Sequence, residues 1–389
     1  MKTQRIAGLS TLALAGALAL TGCGSDDNAT KTSSSTSTAV SGGSSSSSST
    51  GGDSAAAAGK ADCFKGSLKA EGSSAQKLAF TEFSDKFSEA CPDATVDYNP
   101  SGSGAGIKAF IGKQADFAGS DSALKTVAKD GKIEQAEADK ACGSPAWNLP
   151  MVTGPIAIAY NVKGVDKLVL NADVAADIFS GKIVTWNDPA IAKLNPGTTL
   201  PATAIKVFFR SDESGTTENF TKYLKAAAPA KWTAEPGKKW TGKGEGKPKS
   251  DGVAGAVKST DGGITYAEWG YAKQNSLGTA AIDTGAGPVE LTGESAGKAV
   301  AAATQEGQGN NLALKLDYAT KAPGAYPIVL VTYEIVCSKN ADATKGTGIK
   351  NFLGYMASDE SQAALADKGY APLPAEVLTK VRTAISALS

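Results

Sequence analysis

The sequence contains no histidine, and this absence excludes several kinds of chemistry. Without histidine the chain has no Ser-His-Asp triad, no Cys-His pair and no histidine-containing metal site. Basic and acidic residues balance at 39 each, which argues against a nucleic-acid-binding protein, because such proteins normally carry a basic excess. At 389 residues the chain is nevertheless long enough to form two lobes that each bury a core.

Long hydrophobic runs are also scarce, and the run at the N-terminus is too short to span a membrane. Lys2 and Arg5 precede the apolar run 6–20, whereas a membrane-spanning helix needs about 20 apolar residues. The run leads into Leu20-Thr21-Gly22-Cys23, which resembles the lipobox that a lipoprotein signal peptidase requires. We predict a lipoprotein signal peptide at 1–22 and a lipid on its following cysteine. The alternative is an ordinary signal peptide that happens to contain a cysteine.

A linker is expected after this cysteine. Residues 24–60 are mainly Ser, Thr, Gly and Ala and are nearly devoid of large apolar side chains. Such a segment cannot bury a core and is typical of a flexible chain, here with an r.m.s. reach of roughly 30–35 Å. We therefore predict that residues 23–60, with the lipid on Cys23, tether a globular domain to the outer face of the cell membrane. A domain held in this way would capture a ligand and pass it to a partner in the membrane.

Four further cysteines are expected to form two structural disulfides, because an even number in an oxidising compartment favours pairing. They show no CxxC spacing, which makes a zinc site improbable on sequence grounds. Three pairings are possible. We favour Cys63–Cys91, since each residue precedes a strand and these two strands should lie side by side, and Cys142–Cys337 is then the remaining pair.

Beyond the linker, apolar residues alternate between strand-like runs and helix-like spacing. Phe83 and Phe87, for example, lie on one face of an expected helix that Pro92 ends. This alternation predicts an α/β fold. The Lys/Gly-rich segment 238–249 is expected to be a solvated loop. The expected strands are 66–70, 94–98, 116–120, 156–160, 205–209, 263–266 and 328–336, and the expected helices are 75–90, 104–112, 171–180, 216–228, 252–259, 348–356 and 361–368.

Four stretches place Ser, Thr or Gly where an expected strand gives way to a helix. A helix N-terminus presents free N–H groups and the positive end of a dipole, and glycine lets a ligand approach the backbone closely. Several such ends that meet at one point can bind an anion without a lysine. Taken singly, each is more typical of an ordinary helix N-cap. The stretches are 72–75, 101–106, 119–122 and 210–217.

Motifs within these stretches resemble one protein family, and the resemblance covers nearly the whole chain from about Gly66 onward. They include Tyr98-Asn99-Pro100-Ser101-Gly102-Ser103-Gly104-Ala105-Gly106, Asp116-Phe117-Ala118-Gly119-Ser120-Asp121 and Arg210-Ser211-Asp212-Glu213-Ser214-Gly215-Thr216. The family is that of PstS, the phosphate-binding lipoproteins of phosphate ABC transporters. The resemblance implies an α/β, two-lobed periplasmic-binding-protein type II fold. Each lobe would have a mixed, mostly parallel sheet flanked by helices, with the ligand in the cleft between the lobes.

The resemblance also implies which residues bind phosphate. In the first loop the family usually has Thr-Phe where this chain has Ser74-Ala75, so a hydroxyl and a backbone N–H remain but the aromatic cover is lost. Asp212, two residues after Arg210, is expected to hold the guanidinium in place, the alternative being a plain surface ion pair. The expected phosphate-binding residues are Ser74, Ala75, Ser103, Gly104, Asp121, Arg210, Ser214, Gly215 and Thr216.

Asp121 is the most informative of these residues. A carboxylate that faces an anion repels it unless the anion has a proton to donate. Phosphate near neutral pH keeps at least one proton, whereas sulfate keeps none. An acceptor-only carboxylate would therefore select phosphate and reject sulfate. Read without the resemblance, Asp121 is more typical of a helix N-cap.

These observations predict a binding protein without catalytic activity, cofactor or metal. Hinge closure of lobe 1 (60–157 plus 327–389) on lobe 2 (158–326) would trap inorganic phosphate, and the closed form would dock on the permease subunits of an ABC transporter. Its other partner would be the membrane, through the lipid anchor. We expect a monomer that does not bind nucleic acid.

Three alternatives remain open at this point. A receptor for another tetrahedral oxyanion, such as sulfate or molybdate, is disfavoured by Asp121. An extracellular phosphatase would need a nucleophile with a base or a metal cluster, and the sequence shows neither. An adhesin or surface scaffold is suggested only by the anchor and the linker.

Overall fold

The computed structural model describes residues 62–128 and 131–389. The predicted signal peptide, Cys23 and the whole predicted linker lie outside the described residues. The described chain has the mixed α/β fold that the resemblance implies. Its main sheet is curled and mixed, and it is one continuous sheet. No helix in this described part is long and apolar enough to cross a membrane.

The strands vary widely in length, from two residues at the periphery to sixteen in the centre of the main sheet. They are β1 Gly66–Gly72, β2 Ala94–Asn99, β3 Phe117–Ser120, β4 Ala146–Asn161, β5 Val169–Asn171, β6 Lys206–Arg210, β7 Glu245–Lys247, β8 Gly263–Glu268, β9 Gly278–Thr279, β10 Ala281–Asp283, β11 Pro288–Val289, β12 Thr304–Gln305, β13 Leu314–Lys315 and β14 Val329–Cys337.

The helices cover the faces of the sheet and connect its strands. They are α1 Lys77–Ala90, α2 Ser103–Ile111, α3 Glu134–Cys142, α4 Ala172–Phe179, α5 Pro189–Leu194, α6 Gly215–Ala227, α7 Lys249–Lys258, α8 Trp269–Gln274, α9 Gly293–Ala301, α10 Ala343–Met356, α11 Asp359–Ala364 and α12 Ala375–Ser386, with a 3-10 helix at Ala366–Lys368.

One main sheet runs through the described part of the chain in the order β2-β1-β3-β14-β4-β8-β6-β7, with β9 added to β4. Strands β1, β2 and β3 pair in parallel and form what we call the β1 end, while β6, β7 and β8 pair in parallel and form the β6 end. The long strand β4 joins them. Its residues up to Pro155 pair with β14, and from Ile156 onward it pairs with β8.

The central strands are buried on both faces. Every residue of β14 from Val329 to Val336 is buried, and so are the inner fourteen residues of β4 with one partial exception at Trp147. Strands covered on both faces read as continuous apolar runs rather than as alternating patterns. That is why the sequence located β14 and the second part of β4 correctly.

The first part of β4, before residue 156, was not among the expected strands. The structure places Pro150 opposite Tyr333, where the pairing of β4 with β14 shifts register. Proline is tolerated at such an irregularity because no ladder hydrogen bond from its nitrogen is needed there. A local sequence pattern cannot reveal this bulge, because the bulge depends on how β4 pairs with β14.

Two other expectations need correction. Helix α7 begins at Lys249, earlier than the expected start at residue 252. The segment 238–249 is not simply a solvated loop, since it contains β7. It also contains Lys238, whose side chain is mostly buried and forms an ion pair with Glu134 at 3.3 Å. Its Lys/Gly-rich composition hid both features, because short edge strands leave little hydrophobic signal.

Both favoured disulfides are present in the structure. Cys63 is bonded to Cys91, which joins the chain before β1 to the chain before β2. Cys142, at the end of α3, is bonded to Cys337, at the end of β14. The second bond closes a chain segment of 195 residues and fixes the far end of a central strand.

Two carboxyl groups are buried in the sheet without a cation. Glu334 in β14 and Glu268 at the end of β8 are both fully buried. Neither oxygen of Glu334 has a hydrogen-bond partner among the described residues. Burial raises the pKa of Glu334 to about 8, aided by the charge of Asp121 and opposed by the nearby amide of Gln76. Burial also raises the pKa of Glu268 well above its usual range.

We expect Glu334→Gln to change the pH dependence of stability. A carboxyl with a higher pKa in the folded than in the unfolded protein stabilises fully below the unfolded value, and this contribution is lost as the pH rises through the folded value. Glutamine has no proton to lose, so its contribution does not change with pH. As the pH rises from about 4.5 to about 9, the free energy of unfolding of the variant should therefore increase by about 1–3 kcal/mol relative to that of the wild type. Urea unfolding at both pH values measures this gain. The exposed Glu376→Gln variant is the control, and equal pH slopes for all three proteins would contradict the expectation.

Candidate functional site

Four expected site residues meet where strands from both ends of the main sheet terminate. They are Ser103 at the start of α2, Asp121 directly after β3, Arg210 at the end of β6 and Ser214 at the N-cap of α6. Each is at most 3% exposed. Parallel strands end and helices begin at the same edge of an α/β sheet, so helix N-termini gather there and form anion-binding positions.

Ser103 connects the β1 end with the β6 end. Its Oγ accepts a hydrogen bond from the backbone nitrogen of Gly215 at 3.2 Å and from that of Asp121 at 3.2 Å. A Cβ on Gly215 would lie 2.6 Å from the Ser103 Oγ and 2.6 Å from the Asp121 Cβ. Only glycine therefore allows the first turn of α6 to approach these two side chains.

The Asp121 carboxylate is surrounded by hydroxyl groups. Ser103 and Thr216 donate to its Oδ2, both at 3.3 Å, and Thr332 donates to its Oδ1 at 2.9 Å. Burial raises the pKa of Asp121, while hydrogen bonds from Ser73 and Thr332 and the charge of Arg210 offset part of this rise. The sequence did not indicate Thr332, because it lies inside an apolar strand without any motif.

Arg210 has the carboxylate partner that its spacing from Asp212 predicts. Its Nε donates to Asp212 Oδ1 at 2.8 Å and its Nη2 to Oδ2 at 2.5 Å, a bidentate pair. The backbone nitrogen of Lys249 also donates to Asp212 Oδ1 at 2.9 Å. Burial alone would raise the pKa of Asp212, but the Arg210 guanidinium lowers it below its usual range. This pair is mostly buried, so it is not a plain surface ion pair.

A serine that the sequence did not single out also contacts Arg210. Ser250, in the first turn of α7, accepts from Nη1 of Arg210 at 3.2 Å. Its Oγ is 3.1 Å from the Oγ of Ser74, and its backbone nitrogen donates to Ser74 Oγ at 3.3 Å. The signal was available, because Pro248 before a lysine, a serine and an acidic residue is typical of a helix start. Placing that start at residue 252 left Ser250 outside the helix terminus.

The remaining expected residues lie at the same place but have other partners in this structure. The backbone nitrogen of Ala75 donates to the Oγ of Ser73 at 3.0 Å. That of Gly104 donates to the carbonyl of Glu213 at 3.0 Å, so its N–H joins α2 to the loop before α6. Ser214 accepts from the backbone nitrogen of Thr217 at 3.1 Å and caps α6.

Ion pairs flank the site and join its two sides. Lys108 of α2 pairs with Glu213 at 2.5 Å, and Lys125 contacts Glu218 in the first turn of α6. Burial alone would raise the pKa of Glu218, but the ammonium groups around it, including those of Lys222 and Lys125, lower it well below its usual range. The Lys108 pair is exposed and contributes about 0–1 kcal/mol at most, whereas Glu218 is buried and depends on its cations.

An open cavity of about 510 Å³ adjoins the site and has Asp121 in its wall. Its other walls come from the segment after Asp121, from α6 and from the residues between β12 and β14. Solvent-sized molecules can therefore approach the carboxylate from this side. In the part of the chain that the structure describes, no group of three or more Cys, Asp or Glu side chains is arranged to hold a metal ion.

The chemistry of the site follows from its donors and charges. Arg210 is the cation of the site, and Asp212 already neutralises it. With Asp121 the three groups have a formal charge of −1, so an anion must be held mainly by hydroxyl and backbone N–H groups at the helix N-termini. A carboxylate only accepts hydrogen bonds, and an anion that contacts Asp121 favourably must therefore bring a proton.

Comparisons with known proteins identify the family of the chain. A model of the PBP superfamily domain matches residues 29–360. The phosphate-binding protein PstS3 of Mycobacterium bovis is 46% identical over 395 residues, covering both chains completely, and PstS 2 of Mycobacterium tuberculosis is 44% identical with the same coverage. The phosphate-binding protein PstS of Pasteurella multocida is 36% identical over 294 residues, which cover 74% of this chain and 80% of that protein.

Solved structures have the same fold at lower identity. PfluDING, a high-affinity periplasmic phosphate-binding protein bound with phosphate, gives a TM-score of 0.64 at 23% identity and covers 82% of this chain and 93% of its own. A putative phosphate ABC transporter substrate-binding protein from Clostridium perfringens gives 0.56 at 17% identity, covering 79% and 100%. Together with the full-length sequence identity and the domain match, these findings show that the chain belongs to the PBP superfamily and, within it, to the PstS phosphate-binding proteins.

Proposed function

We propose that this protein captures inorganic phosphate outside the cytoplasm and delivers it to an ABC permease for import. The observation that carries the proposal is a buried carboxylate, Asp121, among helix N-termini and beside a neutralised guanidinium. Phosphate has the matching properties: it is an anion with several acceptor oxygens, and it still has a proton near neutral pH. The names of the full-length relatives support the same ligand.

The proposed contacts follow from the positions of the donors. The hydroxyls of Ser74, Ser103 and Thr216 can turn from their present partners toward the anion. Arg210 would contact it through the nitrogen that now faces Ser250, while Asp212 keeps the guanidinium fixed. Backbone N–H groups complete the proposed set, and they belong to Ala75, Gly104, Ser214 and Gly215. Ser214 would also contribute its hydroxyl.

We propose two lobes, 60–157 plus 327–389 and 158–326, that close over the ligand. The chain passes from one to the other at Ala157–Ile158 and at Tyr326–Pro327, and these crossings lie close together, since the nearby Ile156 nitrogen donates to the Ile328 carbonyl at 2.8 Å. Contacts such as Ser103 with Gly215 span the two lobes and would form on closure.

No catalytic step is proposed for the site. Its serines have no histidine to act as a base, and their hydroxyl and amide partners are suited to binding an anion. Phosphatase activity toward a phosphomonoester would contradict this part of the proposal.

Cys23 would carry the lipid that holds the protein, as a monomer, near the permease subunits.

Arg210→Ala should reduce phosphate affinity by about 100-fold. The guanidinium that would contact the anion is lost, and Asp212 is left as an unpaired negative charge. Calorimetric titration with phosphate measures the affinity, and small-angle scattering on the wild type should show a smaller radius of gyration with phosphate. Arg382→Ala is the control, since this arginine pairs with Asp359 in another part of the protein. Wild-type affinity in Arg210→Ala would place the site elsewhere.

Asp121→Asn should weaken the discrimination against sulfate by about 10- to 100-fold, because an asparagine amide can donate a hydrogen bond to an anion that has no proton. Competition titrations with phosphate, sulfate and arsenate measure this change. Arsenate should compete in both proteins, since its shape and protonation resemble those of phosphate. Equal binding of sulfate and phosphate by the wild type would instead favour a general oxyanion receptor.

Cys23→Ser should release the protein from the membrane, because the thiol that would carry the lipid is removed. Cell fractionation followed by immunoblotting compares the variant with the wild type. Replacement of a neighbouring residue, Ser25→Ala, is the control. Equal amounts of wild type and Cys23→Ser in the membrane fraction would show that another feature holds the protein there.

A further inference from the structure

Thr332 occupies an unusual position for a polar residue. It lies in the middle of β14 with no exposed surface, between Val331 and Tyr333, in a mostly apolar strand whose other buried polar side chain is Glu334. Its Oγ1 donates a hydrogen bond to Oδ1 of Asp121 at 2.9 Å, which is shorter than the hydrogen bonds from Ser103 and Thr216 at 3.3 Å. A strand therefore supplies a donor to a site otherwise built from helix N-termini.

The two oxygens of Asp121 have different kinds of donor. Oδ2 accepts from Ser103 and Thr216, which begin α2 and α6 and are in the proposed phosphate-binding set. Once an anion is present, these two hydroxyls can donate to it and leave Oδ2 without a donor. Thr332 belongs to neither helix terminus, so its hydrogen bond to Oδ1 can persist in the loaded protein.

We propose that Thr332 is a positioning residue for ligand selectivity. Its hydroxyl holds Oδ1 of Asp121 and keeps the carboxylate ionised, so that Oδ2 can accept a hydrogen bond from the proton of phosphate. This inference rests on the proposed function and deepens it. A hydroxyl has a single proton, and the Thr332 proton is committed to Oδ1, so a protonated Asp121 gains nothing on that side. The hydrogen bond also fixes the rotation of the carboxylate and thereby the position of Oδ2.

The surroundings of Asp121 make this hydrogen bond important. Burial raises its pKa, and the negative charges of Glu334 in β14 and Glu268 in β8 would act in the same direction if they ionised. The hydrogen bonds from Ser73 and Thr332 oppose the rise in pKa, and so does the charge of Arg210 of β6. Without Thr332 the carboxyl would be easier to protonate, and a protonated carboxyl can donate to sulfate, which removes the basis of selection.

The cavity beside Asp121 is also lined by Lys125, Lys222 and Glu306, and three tyrosines lie near the carboxylate. Tyr98 of β2, Tyr271 of α8 and Tyr370 after the 3-10 helix are each near enough for the charge of Asp121 to raise their pKa further, in addition to burial. They are neutral across the pH range of interest. Changes of selectivity between about pH 6 and pH 8 therefore involve Asp121, the buried glutamates or phosphate itself.

The test compares Thr332→Ser with Thr332→Ala. Both variants remove the same methyl group from a buried strand, and they differ only by the hydroxyl. Calorimetry with phosphate and with sulfate at about pH 6 and about pH 8 gives the affinity ratio, and the carbon-13 shift of the Asp121 carboxyl gives its titration directly. Thr153→Val is the matched control, because Thr153 is a buried threonine on β4 whose hydroxyl has no hydrogen-bond partner among the described residues.

Thr332→Ser should keep the wild-type ratio of phosphate to sulfate affinity. Thr332→Ala should lower this ratio by about 10- to 100-fold, more strongly at the lower pH, and should move the Asp121 titration to higher pH. Thr153→Val should change neither quantity. If Thr332→Ala does not fold, Thr332→Val, which retains the volume of the side chain, replaces it in the same comparison.

The outcomes separate this inference from the proposed function. If Thr332→Ala or Thr332→Val binds phosphate with the wild-type ratio and an unchanged Asp121 titration, the inference is overturned and the proposed function stands. If Thr332→Ser loses selectivity as strongly as Thr332→Ala, the role of Thr332 is packing, and the inference is again overturned. If the wild type binds no phosphate at all, the proposed function itself fails.

Discussion

A negative charge buried at a site built for anions is the constraint on which the rest of the site depends. Asp121 is almost fully enclosed, and a buried carboxylate without donors would be strongly unfavourable. Its donors come from α2, α6 and β14, which belong to three separate parts of the chain. The same groups that donate to the carboxylate therefore bring the two ends of the sheet together.

The cation of the site is restrained in a similar way. Asp212 binds two nitrogens of Arg210, and the N-terminus of α7 in turn binds Asp212. A guanidinium that is already neutralised attracts distant anions weakly. Binding then depends on how well the hydroxyl and N–H groups match the shape and protonation of the ligand, which favours selectivity over simple charge attraction.

Much of the fold and most of the site could be predicted from the sequence. Strands such as β14 were found because burial on both faces leaves a continuous apolar run, and the contact of Arg210 with Asp212 followed from their spacing. Thr332 could not be found in this way, since its role depends on which strand lies beside β3. The bulge at Pro150 was missed for a related reason, because the partner strand decides it. The early start of α7 is different, since Pro248 gave a local signal that the interpretation overlooked.

The continuity of the main sheet limits how the two ends can move. Strands β4 and β14 lie side by side where the chain passes between them, and β4 keeps its ladder with both β14 and β8. The disulfide to Cys142 clamps the far end of β14. A hinge motion of the proposed lobes would therefore have to bend this pair of hydrogen-bonded strands. The stiffness of the ladder between them then sets how far the lobes open when no ligand is bound.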